Sequence, residues 1–77
     1  MAIVRHLEER PLQVEVKHTE TEGTYSLVRD RDGLTYLQID TYGSAERKLE
    51  GKKSQSIRFS PEAVADLRKI ISTHFRG

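Results

Sequence analysis

The chain has no cysteine and no tryptophan, only two prolines, and no long apolar run. Without cysteine it can form neither a disulfide nor a thiolate-bound metal site. No stretch approaches the roughly 18 apolar residues that read as a membrane-spanning helix. Met1–Arg10 also lacks the apolar segment of a secretory signal. We therefore expect a soluble, cytoplasmic protein with no membrane partner.

Its small size and low apolar content bear on assembly. The chain has 77 residues, which we expect to form a single domain over residues 1–77, and only 35% of them are apolar. A chain of this length buries only about 60–65% of its unfolded surface, so a lone core is thin. Because no disulfide compensates, we expect burial between subunits in a homodimer.

The sequence offers little for catalysis. His6, His18 and His74 are far apart and have no cysteine or paired carboxylate at ligand spacing. No serine lies in a nucleophile elbow, and no histidine has an evident orienting acid. We expect neither an enzyme nor a bound cofactor or metal.

Charge is distributed unevenly along the chain, although the net charge is only +1. The segment Glu8–Glu22 has a net charge of −3, and the segment Glu46–Arg58 has a net charge of +3. Such opposite patches fit either polyanion binding on one face or head-to-tail association.

Alternating apolar and polar residues predict four strands. The first is Leu12–Val16, which follows a break at Pro11, and the last is Ser54–Phe59. Between them, Gly23–Asp30 and Leu34–Tyr42 form a hairpin. The pattern of Ala2–Arg10 is ambiguous.

The hairpin loop decides which residues face each other. A three-residue loop, Arg31–Gly33 with its glycine left-handed, sets Leu27 opposite Leu37 and Tyr25 opposite Ile39. A two-residue turn would mix apolar and polar side chains on both faces, so we favour the longer loop. The other, polar face then contains Ser26, Val28, Tyr36, Gln38, Asp40 and Tyr42.

A helix follows the last strand. Ser60 is a good N-cap, Pro61 suits the first turn, and Glu62 complements the helix dipole. The predicted helix Pro61–Phe75 presents a broad apolar stripe to the core or to a dimer partner. The expected fold class is α+β: a four-stranded antiparallel curved sheet followed by one C-terminal helix, dimerising. The helix covers the apolar face and leaves the polar face exposed.

That polar face and the basic loop Gly43–Lys53 form the candidate site. Tyr36 and Tyr42 can stack bases, while the loop cations can neutralise phosphates. Asp40 is expected to be neutralised by Arg58 or to accept a hydrogen bond from a base amino group. The predicted nucleic-acid-binding residues are Tyr36, Gln38, Tyr42, Arg47, Lys48, Lys52, Lys53, Ser54, Ser56 and Arg58. The alternative interpretation is that the two tyrosines are present only because tyrosine favours strands, and that the charged residues of the loop are simply solvated.

The segment Leu37–Glu62 resembles the single-stranded-DNA-binding transcriptional coactivators of the positive cofactor four family. The strand ending Ile39-Asp40-Thr41-Tyr42, the basic loop and the Pro61-Glu62 helix start carry the resemblance. The hairpin Gly23–Ile39 is also similar to the repeat of Pur-alpha-type nucleic-acid-binding proteins.

The resemblance implies a homodimer that binds single-stranded DNA or RNA in transcription, replication or repair. Tyr42, Lys52, Lys53 and Arg58 match regions that contact nucleic acid in the family. Two positions depart from the family pattern. Asp40 stands where the family has arginine, and Gly43 stands where an aromatic residue often follows the tyrosine.

We therefore expect a non-catalytic protein that binds single-stranded nucleic acid largely without sequence readout. One alternative is a protein-interaction module that binds a basic partner through the acidic Glu8–Glu22 segment. Another is a small regulatory or enzyme subunit that binds a ligand in a dimer groove.

Overall fold

The computed structural model describes residues 1–18, 20–42 and 53–75. The elements are β1 (Ala2–Val4), β2 (Gly23–Arg29), β3 (Thr35–Tyr42), β4 (Lys53–Phe59) and α1 (Pro61–His74). The strands form one four-stranded sheet in the order β1-β4-β3-β2. The fold is α+β with one C-terminal helix, as the sequence predicts. None of the described helical residues forms a segment that is long and apolar enough to cross a membrane.

The first strand is not the predicted one. β1 runs parallel to β4, with Ile3 opposite Arg58, so the sheet is mixed rather than wholly antiparallel. The amide of Ser60 donates to the carbonyl of Val4 at 3.0 Å and closes this edge. The prediction that Leu12–Val16 forms the first strand is wrong, since this segment lies exposed outside the sheet. An alternating pattern makes a strand possible, but a strand also needs an edge to pair with.

The hairpin has the register expected from its loop. Leu27 lies opposite Leu37 in the antiparallel β2–β3 ladder. Gly33 has φ = 81°, a left-handed conformation that favours glycine. The side chain of Asp30 accepts hydrogen bonds from the amides of Asp32 and Leu34 at 2.9 and 3.0 Å and closes the turn.

The helix begins as predicted and ends one residue earlier. Ser60 is fully buried, and its Oγ accepts a hydrogen bond from the amide of Ala63 at 3.2 Å. Helix α1 packs mainly on β3 and β4. Of its apolar stripe only Ala63 is fully buried, while Ile71 and Phe75 are exposed.

Burial of the two sheet faces differs from the prediction. On the apolar face, Tyr25 and Leu27 of the edge strand β2 are 74% and 70% exposed. On the polar face, Tyr36 of β3 is only 7% exposed, so the expectation of an open tyrosine platform at Tyr36 is wrong. The guanidinium of Arg5 lies over the Tyr36 ring, and helix α1 packs on the same strand. Among the described residues, only Tyr36 and Ala63 are both apolar and buried.

Candidate nucleic-acid interface

Strand β3 places three buried side chains at alternate positions on one face: Tyr36, Gln38 and Asp40. Each is contacted by one cation, which comes either from β4 or from the residue that follows β1. The three pairs are Arg5 with Tyr36, Arg58 with Gln38 and Lys53 with Asp40. The cations therefore form a row that follows β3, which we call the cation row.

The central pair is the most tightly bound. Arg58 lies opposite Gln38 in the β3–β4 ladder. Its guanidinium donates from Nε at 3.1 Å and from Nη2 at 2.5 Å to Oε1 of Gln38. Gln38 is buried and Arg58 is half-buried. Both hydrogen bonds go to a neutral amide, so the positive charge of Arg58 is held in place but not cancelled.

Asp40 is buried on the same face and fixes its neighbours through hydrogen bonds. Its side chain is 2% exposed, and Oδ1 accepts hydrogen bonds from Ser56 Oγ at 2.5 Å and from Gln38 Nε2 at 3.0 Å. An ionised carboxylate can only accept, so Gln38 must turn its NH2 toward Asp40 and its oxygen toward Arg58. The hydrogen bond from Ser56 is the main cause that lowers the pKa of Asp40, and Gln38 and Lys53 add to it against the effect of burial.

Lys53, and not Arg58, is the ion-pair partner of Asp40. Its Nζ lies 3.3 Å from Oδ2 of Asp40, and about half of the lysine side chain is exposed. The expected pairing of Arg58 with Asp40 is therefore wrong. The consequence is that a buried acid neutralises only the lysine and leaves the arginine uncompensated.

Arg5 lies at the other end of the cation row. Its Nη1 donates to the Tyr36 hydroxyl at 3.3 Å, and its guanidinium carbon lies 5.7 Å from the ring centroid. Glu62 is near enough to be affected: its pKa is lowered first by a hydrogen bond from Ser60, and also by the charge of Arg5. Tyr36 thus supports a cation and offers no open ring.

Tyr42 closes the other end of β3. It is half-buried, and its hydroxyl lies 2.9 Å from Thr24 Oγ1 on β2. The β3–β4 register shifts between Thr41 and Tyr42, where Tyr42 comes opposite Lys53. A bulge at this point aims a side chain out of the regular ladder. Tyr42 is therefore the aromatic ring of the predicted pair that remains partly accessible.

The remaining predicted residues divide into two groups. Ser54 is exposed and Ser56 half-buried on β4, and Ser56 bonds to Asp40. The predicted loop cations Arg47, Lys48 and Lys52 lie outside the described residues. The structure thus brings together Gln38, Lys53, Ser56 and Arg58.

Sequence reasoning missed Arg5 as a member of the site. It follows the three-residue strand β1, whose parallel pairing with β4 carries it to the polar face. Three residues are too few for a period-2 pattern to stand out. An isolated arginine next to the apolar run of residues 2–4 was the only available signal.

Comparison of the chain with protein-family models, curated proteins and solved structures finds no match. Within residues 1–18, 20–42 and 53–75, no three histidine, aspartate or glutamate side chains come together as a possible metal site. The function of the chain is therefore inferred from the geometry of the cation row.

Proposed function

We propose that this chain is a non-catalytic protein that binds single-stranded nucleic acid, acting as a homodimer in transcription, replication or repair. The cation row contacts phosphates, the loop Gly43–Lys53 adds further cations, and Tyr42 stacks on a base. DNA is the first ligand to test, with RNA as its competitor.

The observation on which the proposal depends is that Arg58 is held in place while its charge is not neutralised. Arg58 is half-buried as a residue, and its guanidinium is oriented by two hydrogen bonds and has no ion-pair partner among the described residues. A fixed, uncompensated guanidinium is well suited to bind a phosphate oxygen, since little side-chain freedom remains to be lost. A merely solvated arginine would not need a buried amide to hold it.

The spacing of the row supports the same ligand. Residues two apart in a strand are separated by about 6.4–6.8 Å. Tyr36, Gln38 and Asp40, the side chains that the three cations contact, follow this repeat along β3. The row therefore presents several cations to one phosphate backbone. The preference for a single strand over a duplex rests on Tyr42, because stacking on its ring needs an unpaired base.

Stacking is assigned to one ring instead of two. Tyr36 is buried beneath Arg5, whereas Tyr42 is half-buried at the bulge and lies opposite Lys53. A base stacked on an aromatic ring contributes about 1–3 kcal/mol without sequence readout. One stack and several phosphate contacts give a binding mode that is dominated by charge.

Titration of a fluorescent single strand of about 20 nucleotides at two salt concentrations tests the proposal. With about four phosphates contacted, the log–log slope is near −2.8, or about a fifty-fold loss between about 50 and 200 mM salt. Failure to bind at low salt, or binding indifferent to salt, would reject the proposal and favour the protein-interaction alternative. A duplex of the same sequence serves as the control and should bind more weakly.

A further inference from the structure

The segment Leu12–Val16 has the alternating pattern of a strand but lies outside the sheet in the single chain. Leu12, Val14 and Val16 alternate with polar residues and are 84%, 75% and 61% exposed. Within the described chain, the hydrogen bonds and ion pairs of residues 8–18 join them only to one another. An exposed alternating segment of this kind is a template for pairing with a sheet edge.

The sheet offers a matching edge. β2 is the last strand in the order β1-β4-β3-β2, so one side of its backbone is unpaired by the sheet. Its residues Tyr25 and Leu27 point to one face and are largely exposed. A strand added at this edge would extend the apolar face if its own apolar residues pointed the same way.

We propose that Leu12–Val16 of one copy of the chain adds to the free edge of β2 in a second copy, as an exchanged fifth strand. This goes beyond the proposed function, which requires a dimer but does not say how the copies join. Reciprocal exchange of one element is a low-cost route to a symmetric dimer. The occupant of the edge is thus a second copy of this chain.

The surface of the lone chain supports a second copy as the occupant. The chain exposes 7359 Å². A compact monomer of 8.9 kDa would expose about 4,800 Å², which is about 2,500 Å² less. A standard interface buries about 800 Å² per partner. The surplus of the lone chain exceeds this area, and the exposed apolar side chains of Leu12–Val16 and of β2 contribute to it.

Isotope-filtered NMR tests the exchange without assuming a register. In a mixture of labelled and unlabelled chains, methyl groups of Leu12, Val14 or Val16 should show intermolecular contacts to Tyr25 or Leu27. Contacts seen only within one chain would overturn the proposal, because the segment would then pair with its own β2. The absence of any such contact would overturn it as well.

A matched pair of variants tests the same point by a second route. Val14→Glu and Gln13→Glu add the same charge at neighbouring positions on opposite faces of the segment. Val14→Glu should weaken dimerisation about ten-fold or more in analytical ultracentrifugation, because it removes a buried apolar contact. Gln13→Glu should change it little. Equal effects of the two variants, or no effect of either, would contradict strand exchange.

Nucleic-acid binding is measured separately on the same samples. A Val14→Glu monomer that still binds a single strand at low salt would leave the proposed ligand intact. A wild-type dimer that shows the intermolecular contacts but binds no strand would leave the exchange intact. The two proposals can therefore fail independently.

Discussion

Arg58 donates two hydrogen bonds to one acceptor, the amide oxygen of Gln38, from Nε at 3.1 Å and from Nη2 at 2.5 Å. Gln38 in turn donates to Asp40, which is fixed by Ser56. A buried acid thus sets the orientation of a surface-facing cation through an intervening amide. These hydrogen bonds restrict the conformations that the Arg58 side chain can adopt.

Replacing Arg58 by alanine should weaken binding of a single strand about ten-fold, the equivalent of about 1.4 kcal/mol. The salt slope should become shallower by about 0.7, because one phosphate contact is lost. Arg58→Lys should recover only part of the loss, since lysine keeps the charge but not the planar fork. Fluorescence anisotropy at several salt concentrations measures both quantities.

Arg29→Ala is the matched control for Arg58. Arg29 is exposed on β2 and lies on the opposite sheet face, in the row of Leu27. Its removal should leave the affinity within about two-fold, as expected for a screened surface charge. If Arg29→Ala weakened binding as much as Arg58→Ala, the cation row would not be the binding surface.

The double change Lys52→Ala and Lys53→Ala should weaken all single-strand sequences about equally. The salt slope should fall by about 0.7 to 1.4, because Lys52 provides one phosphate contact and Lys53, which is paired with Asp40, provides at most a second. A control with Lys17→Ala and Lys69→Ala removes the same charge from two other exposed positions. Sequence-dependent losses, or identical slopes for the two double variants, would argue against phosphate contacts from this part of the chain.

Tyr42→Ala should weaken binding by about 1–3 kcal/mol through loss of a base stack. Tyr42→Phe keeps the ring and loses only the hydroxyl contact to Thr24, so it should bind almost as the wild type does. Anisotropy titrations of the two variants compare ring and hydroxyl directly. Weak binding by both variants would assign the role to the hydroxyl and not to stacking.

Lowering the pH should remove the contribution that ionised Asp40 makes to the free energy of unfolding. Its pKa is lowered from the ordinary 3.8, mainly by the hydrogen bond from Ser56. A lowered pKa stabilises the folded state above that ordinary value, and the stabilisation is lost as the pH falls through the lower folded-state pKa. The wild type should therefore be more stable than Asp40→Asn at neutral pH, and the difference should shrink in acid.

Urea denaturation of both proteins across this pH range measures the difference. Asp32→Asn is the control, because Asp32 is exposed in the hairpin turn. A constant gap between the wild type and Asp40→Asn down to the lowest pH would show that the charge of Asp40 contributes no stability.

Local signals made the hairpin and the helix predictable. Only the three-residue loop keeps Leu27 opposite Leu37, and the left-handed Gly33 permits that loop. Ser60 and Pro61 define the helix start within one residue. In both cases the turn or capping interactions that decide the structure lie within a few residues of one another. A local sequence pattern is therefore enough to predict them.

The first strand and the burial of β3 depend on distant contacts. β1 forms because Ala2–Val4 pairs with β4, more than fifty residues away, and no local pattern reports this pairing. Tyr36 becomes buried in part because Arg5 crosses its ring after that strand. Alternation predicted correctly which residues share a face, but it could not predict which face would be covered.

Chemical-shift mapping of the labelled protein with a single strand of about 20 nucleotides shows directly whether the cation row binds nucleic acid. We predict the largest shifts at the side-chain Nε–Hε of Arg58, with further shifts at Arg5, Tyr42 and Lys53. Shifts confined to the opposite face, at Tyr25 and Leu27, or no shifts at low salt, would contradict this prediction.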